Sequence, residues 1–442
     1  MSKIPHFVEE VVMKNIPFSI IVIIALFATL VFAEEENYPA MNKDTSGYDL
    51  QELINIALQN NPTVTALKFE LQAADARIIQ SGLWPNPEFS AETENFSGDL
   101  PGFNYTENTF SVTQPLLLGG KINLQRKLSE QELLILKYEY EAEKIALITE
   151  IEHAVYHILL TQKNLEYAME ARDTARTLFD FTKGKTKEEE RADVSHEILS
   201  LQIELSQSEV EIVTVERNLE IAKESLSLLC GNPDISQGHI KGDLDRKFDV
   251  LEFKALKECI LKNNFKVKAA EESENRAEIR LNIANADKIP DVDLGFGVRQ
   301  FEEDNSYTFV AGLSVPLPLF DRNQGSIQEA QINKNKVEFD KKSLVNELSL
   351  LLNEFYGEYQ TSLQLVTTYK NSILPSAQEY YDITVDKYEK GTLQYLDVLI
   401  AKRTLIQIKK QYTESLHTLQ NSVANIENIC SRHFHGPNAD MF

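Results

Sequence analysis

Glycine and proline are scarce in this chain of 442 residues, which contains 17 and 14 of them respectively. Both residues interrupt helices and mark turns. A chain of about three compact domains, the number that this length suggests, would use more of both. Their scarcity, together with an abundance of polar helix formers, predicts long helices rather than several globular units.

Basic residues and cysteines are also few. Lys and Arg number 44 against 68 Asp and Glu, so the formal net charge is −24, which argues against nucleic acid as a partner. Three cysteines are too few for a disulfide framework. We expect buried thiols at Cys230, Cys259 and Cys430, although a Cys230–Cys430 bridge is an open alternative because these two residues end corresponding helices.

The N-terminal region has the pattern of a secretory signal. Lys14 precedes an apolar run over residues 16–32, and Val31 and Ala33 place small residues before a candidate cleavage site. This order of features predicts a signal peptide over residues 1–33, followed by a linker over residues 34–47. A membrane anchor is the alternative for the same apolar run.

Two β-hairpins are predicted, over residues 86–115 and 291–316. Each contains two runs of about ten residues rich in strand formers, and about 9–11 tilted residues are enough to cross a bilayer. In the second hairpin, Val292, Leu294 and Phe296 alternate with Asp and Gly. This alternation predicts a barrel wall with an apolar outer face and a polar inner face.

The polar faces of the hairpins predict a wet and acidic channel wall. Its candidate residues are Glu88, Glu92, Glu94, Asp291, Asp293 and Arg299. The alternative is that any water-filled wall must be polar, whatever passes along it. Four strands cannot close a barrel, and an open sheet edge is not tolerated in lipid. Three copies would supply twelve strands, so we expect a homotrimer surrounded by outer-membrane lipid.

The sequence is internally duplicated. Residues 58–64 have a counterpart in residues 261–267, and Pro87 corresponds to Pro290 at the same spacing. We therefore predict a first repeat over residues 48–245, a second repeat over 246–431 and a tail over 432–442. The fold class is mainly α with a membrane β-barrel segment, four strands coming from each chain.

Long helices follow both hairpins. From Lys121 to about Lys183 the pattern stays helical over a length of about 90 Å, with apolar residues repeating every 3.5 residues. The repeating positions are Leu147, Ile151, Ala154, Ile158, Thr161, Leu165 and Ala168 in the first half, and Leu348, Leu352, Phe355, Tyr359, Ser362, Val366, Tyr369 and Ile373 in the second. Each half therefore predicts an antiparallel coiled-coil hairpin. Its far tip is at Gly184 or Gly391, and Pro375 kinks its helix.

Other chemistry is weakly indicated. The run Gly119-Gly120-Lys121 lacks the spacing of a phosphate-binding loop. Two histidine pairs, His153 with His157 and His433 with His435, have spacings that could bind a metal, but neither has further ligands in its motif. No nucleophile, base and orienting group occur together, so the sequence predicts neither an enzyme, nor a cofactor, nor a bound metal.

Several motifs resemble those of the TolC family of outer-membrane efflux proteins, and in particular its heavy-metal branch of CzcC/CusC-like proteins. They are Asn60-Asn-Pro62, Pro85-Asn-Pro-Glu88, Glu94-Asn-Phe-Ser-Gly98, Gln114-Pro-Leu-Leu-Leu-Gly-Gly-Lys121 and Pro316-Leu-Pro-Leu-Phe-Asp-Arg-Asn-Gln-Gly325. The resemblance covers nearly the whole mature chain. It implies a trimer in the Gram-negative outer membrane with a periplasmic helical tunnel. A periplasmic adaptor would connect this tunnel to an inner-membrane resistance-nodulation-division pump.

The resemblance also implies a gate at the periplasmic tip. The segment Tyr388-Glu-Lys-Gly391, followed by Leu396-Asp-Val-Leu399, is similar to the segment that narrows the tip in this family, which places Tyr388 and Asp397 at gate positions. Asp193 is the counterpart of Asp397 in the first repeat. The alternative for Asp397 is that it caps the helix that begins after Gly391.

Two other classes of protein are alternatives to a channel for heavy-metal cations. An exported coiled-coil scaffold or adhesin would have neither alternating strands nor duplicated hairpins. A periplasmic adaptor would contain a Gly-rich β-domain. Within the channel class, drugs or secreted polypeptides are alternative cargoes.

Overall fold

The computed structural model describes residues 47–96, 102–185, 192–245 and 251–431. The predicted signal peptide and tail, nearly all of the linker, and His433 and His435 lie outside these residues. None of the helices in the described ranges is both long enough and apolar enough to cross a membrane.

Each repeat begins with two short helices. They are α1 (Leu50–Asn60) and α2 (Pro62–Ser81) in the first repeat, and α5 (Phe253–Asn263) and α6 (Phe265–Ala286) in the second. The break between α1 and α2 falls at Asn61. The Asn61 side chain accepts hydrogen bonds from the backbone N–H groups of Thr63 and Val64, and proline at the first position of α2 donates none.

The capping asparagine performs a second task in both repeats. The Asn61 Nδ2 atom donates to the Leu229 carbonyl at 2.9 Å, and the Asn264 Nδ2 atom donates to the Ile429 carbonyl at 2.6 Å. These carbonyls lie at the ends of two later helices, where helical partners are lacking. Each asparagine thus joins the start of its repeat to the end of the same repeat.

Four strands form one antiparallel sheet in the order β1-β2-β3-β4: β1 (Glu88–Glu94), β2 (Glu107–Leu116), β3 (Val292–Phe301) and β4 (Ser306–Ser314). Both predicted hairpins are confirmed. The strand β1 ends at Glu94, because Asn95 adopts a left-handed conformation with φ of 60°, which an extended strand cannot continue.

Strands β2 and β3 join the two repeats at the centre of the sheet. Ser111 lies opposite Gly297, and Gly297 lies opposite Val310. A Cβ atom at Gly297 would lie 2.5 Å from the Phe110 carbonyl oxygen, so only glycine allows this close approach.

Long helices make up most of the remaining chain. They are α3 (Lys121–Lys185), α4 (Ala192–Leu229), α7 (Gln324–Thr368), α8 (Leu374–Glu389) and α9 (Tyr395–Cys430). The first of these has 65 residues, or about 98 Å at a rise of ~1.5 Å per residue. Positions of the predicted coiled-coil seams are buried in both halves, including Ile151, Ile158, Leu352 and Tyr359.

Of the three predicted helix breaks, those near Pro375 and Gly391 are found, and the one at Gly184 is not. A π-helical turn over Tyr369–Ile373 lies just before Pro375, where the i→i−4 hydrogen-bond pattern is interrupted. Gly391 adopts a left-handed φ of 73° between α8 and α9, as expected at a tip. In the first repeat, however, α3 continues through Gly184 to Lys185, because glycine in a helix interior lowers stability without ending the helix.

The three cysteines are present as thiols. The Cys230 and Cys430 side chains are buried at corresponding positions. Their sulfur atoms donate to the Leu53 and Leu256 carbonyls at 3.8 and 3.9 Å respectively. Burial raises the pKa of Cys230 to about 11. The expectation of buried thiols therefore holds for these two residues, and Cys259 is half-buried.

Candidate functional site

One face of the sheet is apolar and exposed. Its large side chains alternate along all four strands, and Phe309 is 91% exposed. The exposed apolar residues of this face are Phe89, Phe110, Val112, Phe296, Val298, Phe309 and Leu313. Because the strand register places these side chains beside one another, they form a continuous apolar surface.

The opposite face is polar and carries Arg299, which lies on the inner strand β3 close to the end of that strand. The Arg299 Nε atom donates to Thr109 Oγ1 at 2.9 Å, and Nη1 donates to Glu107 Oε2 at 2.9 Å. The Arg299 Nη2 atom also lies 3.6 Å from Glu94 Oε2. Arg299 on β3 therefore partly offsets one carboxylate on β1 and one on β2. Glu107 was not among the predicted wall residues, although its register position opposite Glu94 identifies it.

The other predicted wall residues divide into two groups. Glu88 and Glu92 lie on the same face of β1 as Glu94, and Asp293 lies on β3 in register with Pro115 and Ser314. Asp291 instead precedes β3. Its Oδ1 atom accepts hydrogen bonds from Lys121 Nζ at 2.8 Å and from the Leu118 N–H at 3.0 Å.

The contacts of Asp291 tie the start of β3 to the start of α3. Lys121 Nζ also donates to the Ile289 carbonyl at 2.9 Å. A charge-assisted bond of this kind fixes the relative position of two segments far apart in the sequence. Asp291 therefore lies at the junction between sheet and helices, while Glu88, Glu92, Glu94, Asp293 and Arg299 lie on the sheet itself.

At the tip of the second repeat, Asp397 caps α9. Its Oδ2 atom accepts a hydrogen bond from the Gln394 N–H at 2.9 Å, which satisfies one of the unpaired donors at the helix start. Tyr388 lies at the end of α8, and its ring meets the Phe181 ring at a centroid distance of 6.0 Å. The side chains of Asp397 and Tyr388 are half-buried. Asp193 is in the first turn of α4, and its side chain is outside the described part.

A buried ion cluster that was not predicted connects α3 to α9. The Glu170 carboxylate accepts hydrogen bonds from Lys402 Nζ at 2.6 Å and from Lys409 Nζ at 2.9 Å. Burial opposes ionisation of Glu170, but the bonds from both lysines outweigh it and lower the pKa of this carboxyl. Lys402 is only 7% exposed and lies over the Tyr381 ring at 4.7 Å.

Two further ion pairs connect α9 to α4. Arg403 pairs with Glu204, and Lys410 pairs with Glu211. The sequence contained a signal for this arrangement: Lys402 and Lys409 are seven residues apart, as are Arg403 and Lys410. A seven-residue spacing repeats on one face of a coiled-coil helix.

A groove of about 990 Å³ lies between α3 and α8, next to the cluster at Glu170. Its walls include Leu178, Phe181, Tyr381 and Tyr388. The groove is mainly apolar, with Glu170 at one side. It is therefore suited to contact with an amphipathic helix or another partly apolar surface.

Together, the long paired helices and the two-faced sheet define the class of protein as a membrane channel subunit with a TolC-like fold. The model of the outer membrane efflux protein family matches residues 53–232 and 257–431, one match in each repeat. The chain belongs to this family and is thus an outer-membrane efflux channel with a periplasmic helical extension. Family membership also excludes the scaffold and adaptor interpretations.

Several relatives carry names that concern metal resistance. The cobalt-zinc-cadmium resistance protein CzcC of Cupriavidus metallidurans is 24% identical over 89% of this chain and 93% of its own. The nickel-cobalt-cadmium resistance protein NccC of Alcaligenes xylosoxydans xylosoxydans is 27% identical over 63% of this chain and 62% of its own.

Solved structures support the same fold. CusC superimposes with a TM-score of 0.69 and 16% identity over 86% of this chain and 91% of its own. The outer membrane protein VceC of Vibrio cholerae superimposes with a TM-score of 0.70 and 18% identity, covering 87% of this chain and 97% of its own.

Proposed function

We propose that three copies of this chain form one efflux channel that carries divalent heavy-metal cations across the outer membrane. In this assembly, a periplasmic adaptor connects the helical tip to an inner-membrane pump of the resistance-nodulation-division type. The observation that carries the proposal is the two-faced sheet, which is acidic on one face, apolar on the other and open at both edges.

The open edges support a trimer. Strands β1 and β4 are the edge strands within the described chain. Unpaired backbone groups are costly in hydrocarbon, so β4 of one copy would pair with β1 of the next until the barrel closes. Three copies give twelve strands. Their exposed apolar face would contact lipid, and their polar face would surround the channel.

Charge on the polar face supports a cationic cargo. Arg299 partly offsets Glu94 and Glu107, so the net negative charge comes mainly from Glu88, Glu92 and Asp293. Negative side chains along a pore raise the local concentration of cations. The names of CzcC and NccC support the same cargo class for this chain.

The gate is proposed at the tip, with Asp397 and Tyr388 as its main residues and Asp193 as the counterpart in the first repeat. Three symmetry-related Asp397 carboxylates around a narrow bore would repel one another and favour cations. Capping α9 is compatible with this role, because a cap at a helix start holds the carboxylate in a fixed position.

The experiment that tests the channel and its gate is single-channel recording in planar bilayers with wild type, Asp397→Ala and the exposed control Asp382→Ala. We expect small cation-selective currents that increase in Asp397→Ala and stay unchanged in the control. Large currents that are the same in all three proteins would place the gate elsewhere. A folded oligomer without conductance would contradict the proposed assembly.

Organic solutes are the second candidate cargo. The toluene efflux pump outer membrane protein TtgF of Pseudomonas putida is 25% identical over 85% of this chain and 81% of its own. Growth of the native host lacking this gene would distinguish the cargoes. We expect sensitivity to Zn²⁺, Co²⁺ or Cd²⁺ with unchanged tolerance of toluene, whereas the reverse result would favour organic solutes.

A further inference from the structure

Three histidines face one another across the contact between α3 and α9. His153 and His157 are one helical turn apart on α3, and His417 lies on α9. The ring centroids of His157 and His417 are 6.1 Å apart. Because an imidazole nitrogen binds a metal at about 2.0–2.1 Å, two rings that share one ion have centroids roughly 5–6 Å apart. The distance between the His157 and His417 rings is therefore close to that of two rings that bind the same ion. We call His153, His157 and His417 the histidine seam.

The same seam contains buried polar atoms that lack a hydrogen bond. Within the described residues, the Nε2 atom of His153 and the Oδ1 atom of Asn421 are buried and have no partner. The Asn421 Nδ2 atom is 3.1 Å from Nε2 of His417, so this amide lies beside the seam. A buried polar atom without a partner lowers the stability of the folded state. A bound cation would remove part of this cost.

His157 and His417 would supply two of the ligands. No three His, Cys, Asp or Glu side chains in the described ranges are already arranged as a metal centre. A third ligand would therefore require rotation of the His153 side chain, one turn before His157 on the same helix. Imidazole ligands suit Ni²⁺, Co²⁺, Cu²⁺ and Zn²⁺, whereas Mg²⁺ and Ca²⁺ prefer oxygen ligands.

We propose that the histidine seam binds one divalent transition-metal ion and thereby crosslinks α3 to α9. The site lies between helices, away from the wall of the sheet, and it does not depend on the identity of the cargo. Its effect would be to restrain α9 relative to α3 when the metal is abundant.

Calorimetric titration of the purified, detergent-solubilised full chain with Ni²⁺ tests this proposal. All proteins carry His433→Ala and His435→Ala, so that the C-terminal histidines cannot contribute. Removing a residue that only hydrogen-bonds to a metal ligand weakens metal binding by about 10–100-fold. Removing a ligand itself, in His157→Ala or His417→Ala, should therefore weaken binding at least about tenfold. The control is His196→Ala, an exposed histidine on α4, which should bind as the parent protein does.

His157 is exposed, so its replacement leaves the fold intact and keeps the test decisive if His417→Ala fails to fold. The electron paramagnetic resonance spectrum of bound Cu²⁺ reports how many ligand nitrogens are coupled to the metal. This number should be lower in His157→Ala than in the parent protein. A parent protein that binds no Ni²⁺ in a 1:1 ratio per chain, or a His157→Ala protein with unchanged affinity, would overturn the proposal.

Discussion

At the scale of single residues, a few polar side chains determine how distant segments meet. Arg299 joins three strands through Thr109, Glu107 and Glu94, and Lys121 joins α3 to the start of β3. Hydrogen bonds that involve a charged group contribute more than neutral ones. These contacts are not visible in the sequence, because their partners are separated by about 170 to 200 residues.

Arg299→Gln should increase cation selectivity of the channel. The substitution removes the positive charge that offsets Glu94 and Glu107 on the polar face. We expect the ratio of cation to anion permeability to rise about twofold, measured as the reversal potential in a KCl gradient. Arg322→Gln, in the exposed segment before α7, should leave this ratio unchanged. An unchanged ratio in Arg299→Gln would show that this face does not line the pore.

Acid should destabilise the protein partly through His417. Its folded-state pKa is lowered to about 4 from an ordinary value of 6.5. Between these two pH values the unfolded state binds more protons, so stability is lost as the pH falls through this window. Wild type should lose about 2 kcal/mol more than His417→Gln between pH 7 and pH 4, once screening at the half-buried ring is allowed for.

Urea unfolding of both proteins across this pH range measures the difference. Carboxylates that titrate in the same pH window affect both proteins equally. The difference between wild type and His417→Gln therefore reports His417 alone. Parallel pH profiles would contradict the burial of a neutral imidazole at this position.

At the scale of elements, sequence periodicity was sufficient to predict the long helices and the strands and to say which of their residues share a face. The seven-residue spacing from Leu147 onward and the alternation from Val292 onward each placed the correct residues in the core or on one face. Pairing between elements was less predictable. His153 and His157 were recognised as a pair, but their neighbour His417 lies on α9, and no local spacing could indicate it.

The ends of the elements depend on single residues. The Asn61 side chain starts a new helix directly after α1, and the left-handed backbone of Asn95 ends β1. Asparagine adopts both conformations at little cost, so its local effect depends on tertiary contacts that a pattern of apolar residues does not contain.

Glu170→Gln should weaken the attachment of α9 to α3. The substitution leaves the buried Lys402 and the half-buried Lys409 without a charged partner, which should cost about 2 kcal/mol. Glu166→Gln is the matched control on the same helix, because Glu166 pairs with Lys163 at the exposed surface and should cost less than ~0.5 kcal/mol. Thermal unfolding of the two variants gives the comparison, and equal midpoints would contradict the role of the ion cluster.

At the scale of the whole molecule, the two faces of the sheet divide the environment of the chain into lipid and water. Phe309 and Thr308 are neighbours in β4 but lie in register with Val298 and Arg299 respectively. The same chemical change at these two positions should therefore have different consequences.

Phe309→Lys should impair insertion into the outer membrane, because a lysine on the lipid face near the bilayer midplane costs about 2–4 kcal/mol. Thr308→Lys on the polar face should insert normally. The amount of heat-resistant oligomer in outer-membrane fractions measures insertion. Equal amounts for both variants would contradict the assignment of the apolar face to lipid.

The double role of Asn264 has a mechanical consequence. By holding the Ile429 carbonyl, it fixes one end of α9 at a pivot, while the other end reaches the tip at Asp397. A helix of 36 residues is a lever arm of about 54 Å. A rotation of about 5° at the pivot would move the tip by roughly 5 Å, so a small torque at the pivot is amplified into a large displacement at the far end of the helix.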